Sequence, residues 1–204
     1  MNHARLCVAL LTVCGKALRD ILLTYVPVPY KDIYQAILAN RYNLVVRHGR
    51  PLLNPDQVLL VFPEPLTDKV GTLDQFDISV LYTLIRNVST VPAPITDWDI
   101  EPCDQPRDIS LGASVERIRT YRNNIYHCPH GWINQLFEDY WRKFELVLHD
   151  IEAVIGGQMY SRELERQKRQ VVSIYEAFWL KMKIRFAPSR VTTLVEEVSL
   201  IGYQ

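Results

Sequence analysis

The sequence predicts an all-α protein: an up-and-down four-helix bundle with extra N-terminal helices. Three observations carry this. Apolar residues recur at steps of three and four through most of the chain, the spacing that gathers them on one side of a helix. Prolines and glycines fall between these stretches and so mark their ends. One stretch, Trp132 to Ile151, carries an apolar stripe wide enough to face several partners at once.

The chain has 204 residues, 48% of them apolar and 23% charged, enough for one sizeable core and short for two. Its formal net charge is zero. That argues against a broad footprint on duplex nucleic acid, which needs clustered Lys and Arg in excess, and leaves room for a local basic site. Cys7, Cys14, Cys103 and Cys128 show no C-x-x-C spacing and read as reduced thiols of a cytoplasmic protein. Leu6 to Cys14 follows Arg5 as a signal core would, but Lys16, Arg19 and Asp20 come next without a small-x-small cleavage site. No run reaches the roughly 20 apolar residues that span a bilayer.

Ala4 to Tyr25 reads as the first helix, with Leu6, Leu10, Val13, Ala17 and Ile21 on one side and Pro27 and Pro29 closing it. Asp32 to Tyr42 reads as a short second helix. Val45-Val46 and Val58 to Phe62 fit either strands or buried helical turns, and Asn54-Pro55-Asp56 favours a helix from Pro55. Thr72 to Asn87 reads as a helix capped by Thr72. Val91 to Arg107 has four prolines and no periodicity, so it is a connection, with Trp98 and Ile100 expected to pin it to the core. Ser110 to Cys128, His130 to Ile155 and Ser161 to Phe186 read as the remaining long helices, with Gly156-Gly157 between the last two and Pro188 after them.

The chemistry concentrates in Arg122-Asn123-Asn124-Ile125-Tyr126-His127, at the end of a helix that Pro129 stops. On a helix of 3.6 residues per turn, Val115, Ile118, Arg122 and Ile125 share one side; Glu116, Arg119, Asn123 and His127 share another. Arg122 therefore stands beside the apolar stripe and needs a partner, because an uncompensated guanidinium there is costly. Asn123 and His127 are four apart, within touching distance. A fixed cation and a histidine suit RNA cleavage without a metal: the 2′-hydroxyl loses a proton, the leaving 5′-oxygen gains one, and the phosphorane gathers negative charge. Spacing alone fits better with a plainer arrangement, an Arg bridged to a carboxylate and a His capping a helix end.

With the context Arg117-Ile118-Arg119-Thr120-Tyr121 before it, the motif resembles that of the HEPN superfamily. The likeness is to the animal branch found in the DAZ-interacting zinc-finger ubiquitin ligase and in invertebrate immune proteins. Asp74 to Leu81 and Leu84 to Asn87 look like that branch's preceding core helix, and the Pro-rich loop and Asp108-Ile109-Ser110 follow in order. The resemblance runs from about Pro51 to Ile155, and Arg122, Asn123 and His127 match the family motif position by position. It implies a helical bundle, dimerisation through motif helices and, in many members, metal-independent endoribonuclease activity. The branch also holds non-catalytic modules that bind RNA or proteins in innate-immune or regulatory pathways.

The expected organisation is an N-terminal helical extension over 1–50 packed on the core, a HEPN-like bundle over 51–187, and a tail or short helix over 188–204. The candidate catalytic residues are Arg122, His127 and Asn123. Arg119 and Glu116, on the same side, are the candidate substrate-binding residues. RNA, a second copy of the chain and a protein are the candidate partners; no cofactor is expected. His127, Cys128, His130 and Cys103 lack zinc-finger spacing, so no metal site is assigned. Arg162, Arg166, Lys168 and Arg169 are interleaved with Glu163 and Glu165 and read as a solvated helix face.

Overall fold

A computed structural model describes residues 2–46, 51–64, 68–127 and 134–169. The chain begins with one long helical run in three parts: α1 (Asn2–Ala9), a π-helical segment (Leu10–Cys14) and α2 (Gly15–Thr24). Leu6, Leu10, Leu18, Ile21 and Leu22 on this run are wholly buried. The π turn, a wider register that commonly marks functional segments, ends where the Gly15 N–H reaches back to the Leu10 carbonyl.

The expected helix over Asp32 to Tyr42 is two helices, α3 (Ile33–Ala39) and α4 (Arg41–Val46). Asp32 caps the first by accepting from the Gln35 N–H at 2.9 Å. Asn40 divides them: it caps α3 at φ −94° and ψ 7°, with both its backbone N–H and its side-chain amide donating to the Ala36 carbonyl. Val45 and Val46 lie in α4. α5 (Pro55–Val61) has Pro55 at its first turn and a reciprocal capping box between Asn54 and Gln57. The helical alternative thus holds for both stretches that periodicity left ambiguous.

Thr72 does not cap the next helix. Leu73–Gln75 form a separate 3-10 turn, Phe76 is extended and buried, and α6 (Ile78–Val88) starts under Asp77, which accepts from the Val80 N–H at 2.8 Å. Trp98 pins the following connection by standing edge-on to Tyr82, at 5.8 Å between ring centres. Ile100 does not; it is more than half exposed. Arg107 ties the same connection to Asp150 with a 2.9 Å hydrogen bond.

α7 (Leu111–His127) is entered through Ser110, whose hydroxyl accepts from the Ala113 N–H, and through Asp108, whose carboxylate takes the Ile95 and Ser110 N–H groups, each at 2.9 Å. Gly112 lies so close to the Pro92–Pro94 backbone that a Cβ would stand 2.2 Å from the Pro92 carbonyl oxygen. α8 (Asn134–Ile155) buries Phe137, Tyr140, Trp141, Phe144, Val147, Leu148 and Ile151, while Leu136 of the expected stripe is exposed. Gly156 and Gly157, at φ +94° and +97°, turn the chain into α9 (Met159–Lys168). α9 begins at Met159 rather than Ser161, because the buried Glu152 takes the Tyr160 and Ser161 N–H groups.

Helix α7 packs between α6 and α8, and the N-terminal run packs against α6, α8 and α9. The described residues hold no strand, only an isolated bridge between Asp104 and Arg107. The fold is an all-α bundle. No helix among the described residues is long and apolar enough to cross a membrane. His48, Cys128, His130, Trp132, the expected continuation of the last helix to Phe186 and the tail from 188 lie outside the described residues.

Candidate functional site

The three arginines of α7 have three different environments. Arg117 is buried; its guanidinium donates to the Asp108 and Cys103 carbonyls and to the Asp104 carboxylate, and so holds the start of α7 against the preceding connection. Arg119 is paired with Glu116: its Nε donates to Glu116 Oε1 at 2.6 Å, and its guanidinium lies over the Tyr82 ring at 5.2 Å. Arg122 is half-buried near the helix end.

Glu116 is wholly buried. Besides Arg119, its carboxylate accepts from the Tyr82 hydroxyl at 2.7 Å and the Asp99 N–H at 3.1 Å. Burial and then the Glu116 hydrogen bond push the Tyr82 hydroxyl well above its ordinary range. Burial of Asp99 opposes its ionisation, but hydrogen bonds from Arg86 and Tyr82 outweigh this and hold its carboxyl low. The substrate-binding expectation for Glu116 thus meets a carboxylate turned inward and filled by its own chain. Its partners join α6, α7 and the connection between them. Arg119 is drawn back to Glu116, away from the helix end.

The C-terminal end of α7 is different. Arg122 Nη1 donates to Asn123 Oδ1 at 3.1 Å, and the guanidinium lies over the Tyr126 ring at 5.3 Å. The His127 ring stands edge-on to the same Tyr126 ring, at 4.7 Å and 87°. Tyr126 is the common surface on which the Arg and His of the motif are set. Asn123 turns to Arg122 rather than to His127, so the expected contact between Asn123 and His127 is replaced by an Arg122–Asn123 and a Tyr126–His127 pair. His127 is exposed, and Arg122 and Asn123 are partly so. The structure therefore gathers Arg122, Asn123 and His127 at an open helix end and separates them from the Glu116–Arg119 pair.

Two residues of this region carry no sequence assignment. Tyr126 has a usable signal, because Arg122 and Tyr126 are four apart on a helix. His3 has none. Its Nε2 stands 3.2 Å from the Ile125 carbonyl oxygen, across 122 positions of sequence, and Cys7 Sγ lies 3.7 Å from its Nδ1. As donor, His3 satisfies a last-turn carbonyl that a helix end otherwise leaves to water. The start of α1 is thereby fixed to the end of the motif helix. Among the described residues no group of three or more His, Cys, Asp or Glu side chains is arranged to hold a metal ion.

Comparison with known proteins gives the family. The family model described as DZIP3/hRUL138-like HEPN matches residues 32–173. The chain is 32% identical over 76 residues to the E3 ubiquitin-protein ligase DZIP3 of Mus musculus and, over the same length, to that of Homo sapiens. Each match covers 36% of this chain and 6% of the relative, so the chain spans a small part of those proteins' length. No solved structure matches. With its all-α bundle and a family match over most of its residues, the chain belongs to the DZIP3/hRUL138-like HEPN family.

Proposed function

We propose that the C-terminal end of α7 is the active site of a metal-independent endoribonuclease. The observation that carries this is the seating of Arg122 and His127 against one tyrosine ring, that of Tyr126, at the exposed end of α7. A guanidinium offers a planar fork of donors that suits the non-bridging oxygens of a phosphate. An exposed imidazole can accept or donate a proton near neutral pH. In the reaction the 2′-hydroxyl of a ribose attacks the adjacent phosphorus, the bond to the 5′-oxygen breaks, and the products are a 2′,3′-cyclic phosphate and a 5′-hydroxyl.

His127 moves the proton at one of these two oxygens, and Arg122 stabilises the charge of the phosphorane. Asn123 holds the guanidinium in place through its side-chain oxygen. Glu116 and Arg119 act on the position of α7 rather than on the substrate. One histidine serves one oxygen at a time. Two chains apposed through their α7 ends supply the second, so the proposed active form is a homodimer.

The test uses purified protein and labelled single-stranded RNA in EDTA, between pH 5 and 8. Wild type cuts and leaves cyclic phosphate ends, and DNA resists for want of the 2′-hydroxyl. Arg122→Ala and His127→Ala each lower the rate by roughly 10²-fold or more. Arg122→Lys also fails, because an ammonium does not reproduce the fork. Wild-type cleavage no greater than that of His127→Ala refutes the enzyme reading. RNA binding or protein assembly without cleavage then becomes the function of the domain. Sedimentation as a monomer at high micromolar concentration rules against the two-chain site.

A further inference from the structure

A cleft of about 1060 Å³ lies between the π-helical segment and the start of α9, lined among others by Val13, Lys16, Met159, Tyr160, Arg162 and Arg166. Its cations are exposed. Lys16 Nζ donates to the Met159 sulfur at 2.9 Å, a weak acceptor for an ammonium. Among the described residues the Arg162 guanidinium donates to the neutral Gln158 Oε1, at 3.4 Å. Among the described residues neither forms a direct ion pair with a carboxylate. Glu163 also lines the cleft, however, and its carboxyl, held low first by the Arg166 hydrogen bond, is lowered further by the charge of Lys16. The acids nearby are already engaged. Glu163 takes Arg166 through both oxygens and Gln167 through one, Glu165 faces Arg169, and Glu152 is filled by the Tyr160 and Ser161 N–H groups.

The direction of α9 gives this cleft a relation to the motif. Met159 meets Lys16, and Gln167 Nε2 donates to Thr12 Oγ1 at 2.7 Å, so α9 runs back along the N-terminal helix toward His3. His3 in turn contacts the last turn of α7. Arg162 and Arg166 of α9 and Arg169 just after it, at steps of four and three, line a second cleft of about 690 Å³ with His149, Glu152 and Glu165. Lys16 and Arg162 thus lie beside the groove along which α9 runs, while Arg166 and Arg169 beyond them are paired with Glu163 and Glu165. From His3 to Lys16 is 13 residues of near-continuous helix, about 20 Å at 1.5 Å per residue.

We propose that Lys16 and Arg162 bind backbone phosphates of a single-stranded RNA whose scissile bond lies at Arg122 and His127, which makes this cleft an accessory phosphate site some distance along the same strand. The proposal rests on the ribonuclease reading for the identity of its ligand. In a chain of zero net charge, two exposed cations on one wall that are not held in direct ion pairs are where a polyanion can gain by displacing counterions.

The experiment measures binding of a labelled RNA of about twenty nucleotides, 2′-O-methylated so that it is not cut, over a range of salt concentrations. The Lys16→Gln, Arg162→Gln double variant is expected to lower the slope of log affinity against log salt by roughly 1.4, at roughly 0.7 for each single-strand phosphate that the protein no longer neutralises. Both side chains are exposed, and an unchanged melting curve confirms the fold. A matched double variant at two other exposed cations, Lys31→Gln with Arg142→Gln, is expected to leave the slope near wild type. An RNA of about three nucleotides, too short to run from the motif to Lys16, is expected to bind both proteins equally. A wild-type slope in the first variant, or an equal fall in the matched control, overturns the accessory site while wild-type cleavage still upholds the enzyme. Absence of any RNA binding by wild type overturns both.

Discussion

Replacing Glu116 removes the acceptor that holds α6, α7 and the Pro-rich connection together. Its carboxylate takes the Tyr82 hydroxyl, the Asp99 N–H and the Arg119 guanidinium. Breaking a buried ion pair by deleting one partner costs about 3–5 kcal/mol. Two features move Glu116→Ala to the lower end: the Arg119 side chain is 26% exposed and regains water, and the Tyr82 hydroxyl keeps Asp99 Oδ1 at 3.1 Å. The expected loss is about 3 kcal/mol, which for a chain of this size is a fall in Tm of roughly 6–12 °C. Glu116→Gln keeps the volume and one acceptor, so its loss is about 1–2 kcal/mol. Thermal and urea unfolding of the three proteins measure this. A change in Tm of less than about 2 °C for Glu116→Ala refutes the view of Glu116 as a structural junction. Unchanged stability with a loss of RNA cleavage restores it to the substrate.

Three further outcomes follow from the same packing. Gly112→Ala sets a Cβ against the Pro92 carbonyl and the Pro94 nitrogen, which are backbone and do not yield; urea unfolding should show a loss of about 1–3 kcal/mol, and no loss means that α7 does not sit this close. Trp141→Ala removes a wholly buried indole and should cost about 3–5 kcal/mol, whereas a cost below about 1 means that α8 presents another face to the core. Burial works against ionised Asp108, but the Ile95 and Ser110 N–H groups outweigh it and hold its carboxyl below the ordinary range. A depressed folded-state value gives stability that is present above the unfolded value and lost as pH falls through the folded one. Acid melts should therefore show stability falling from about pH 4 downward, with a shallower fall in Asp108→Asn.

Helix existence was legible where an apolar stripe is long, as in α7 and α8, because burial on one side imposes the period. Helix starts were legible where the cap is adjacent and polar, as at Asn54 and Asp32. They were misplaced where the decision is tertiary. Phe76 must enter the core, so it breaks the helix expected from Thr72, and a buried Glu152 fixes where α9 begins. At the site, the family resemblance of the residues around Arg122 and His127, rather than their spacing alone, singled out the motif, and neither separated Glu116 from it. Glu116 and Asn123 lie on one helical side; only the fold shows that the Asp99 segment covers the first and leaves the second open. His3 had no local signal at all, since its contact depends on how α1 lies against α7.

That last contact leads to a test of where the folding unit begins. The family match starts at residue 32, after the N-terminal helical run. Yet Leu6, Leu10, Leu18, Ile21 and Leu22 on that run are wholly buried against the bundle, and His3 holds the end of α7. Burying a leucine or isoleucine fully gains about 1.5–3 kcal/mol, so five such side chains contribute up to about 7–15 kcal/mol, as much as the whole net stability of an ordinary domain. A chain begun at Asp32 would also expose the facing surfaces of α6 and α8. We expect that truncation to be insoluble or to lack a cooperative melt, despite keeping every residue of the family match. A soluble, helical 32–204 chain with a sharp melting transition shows instead that the run is an appendage to a bundle that stands without it.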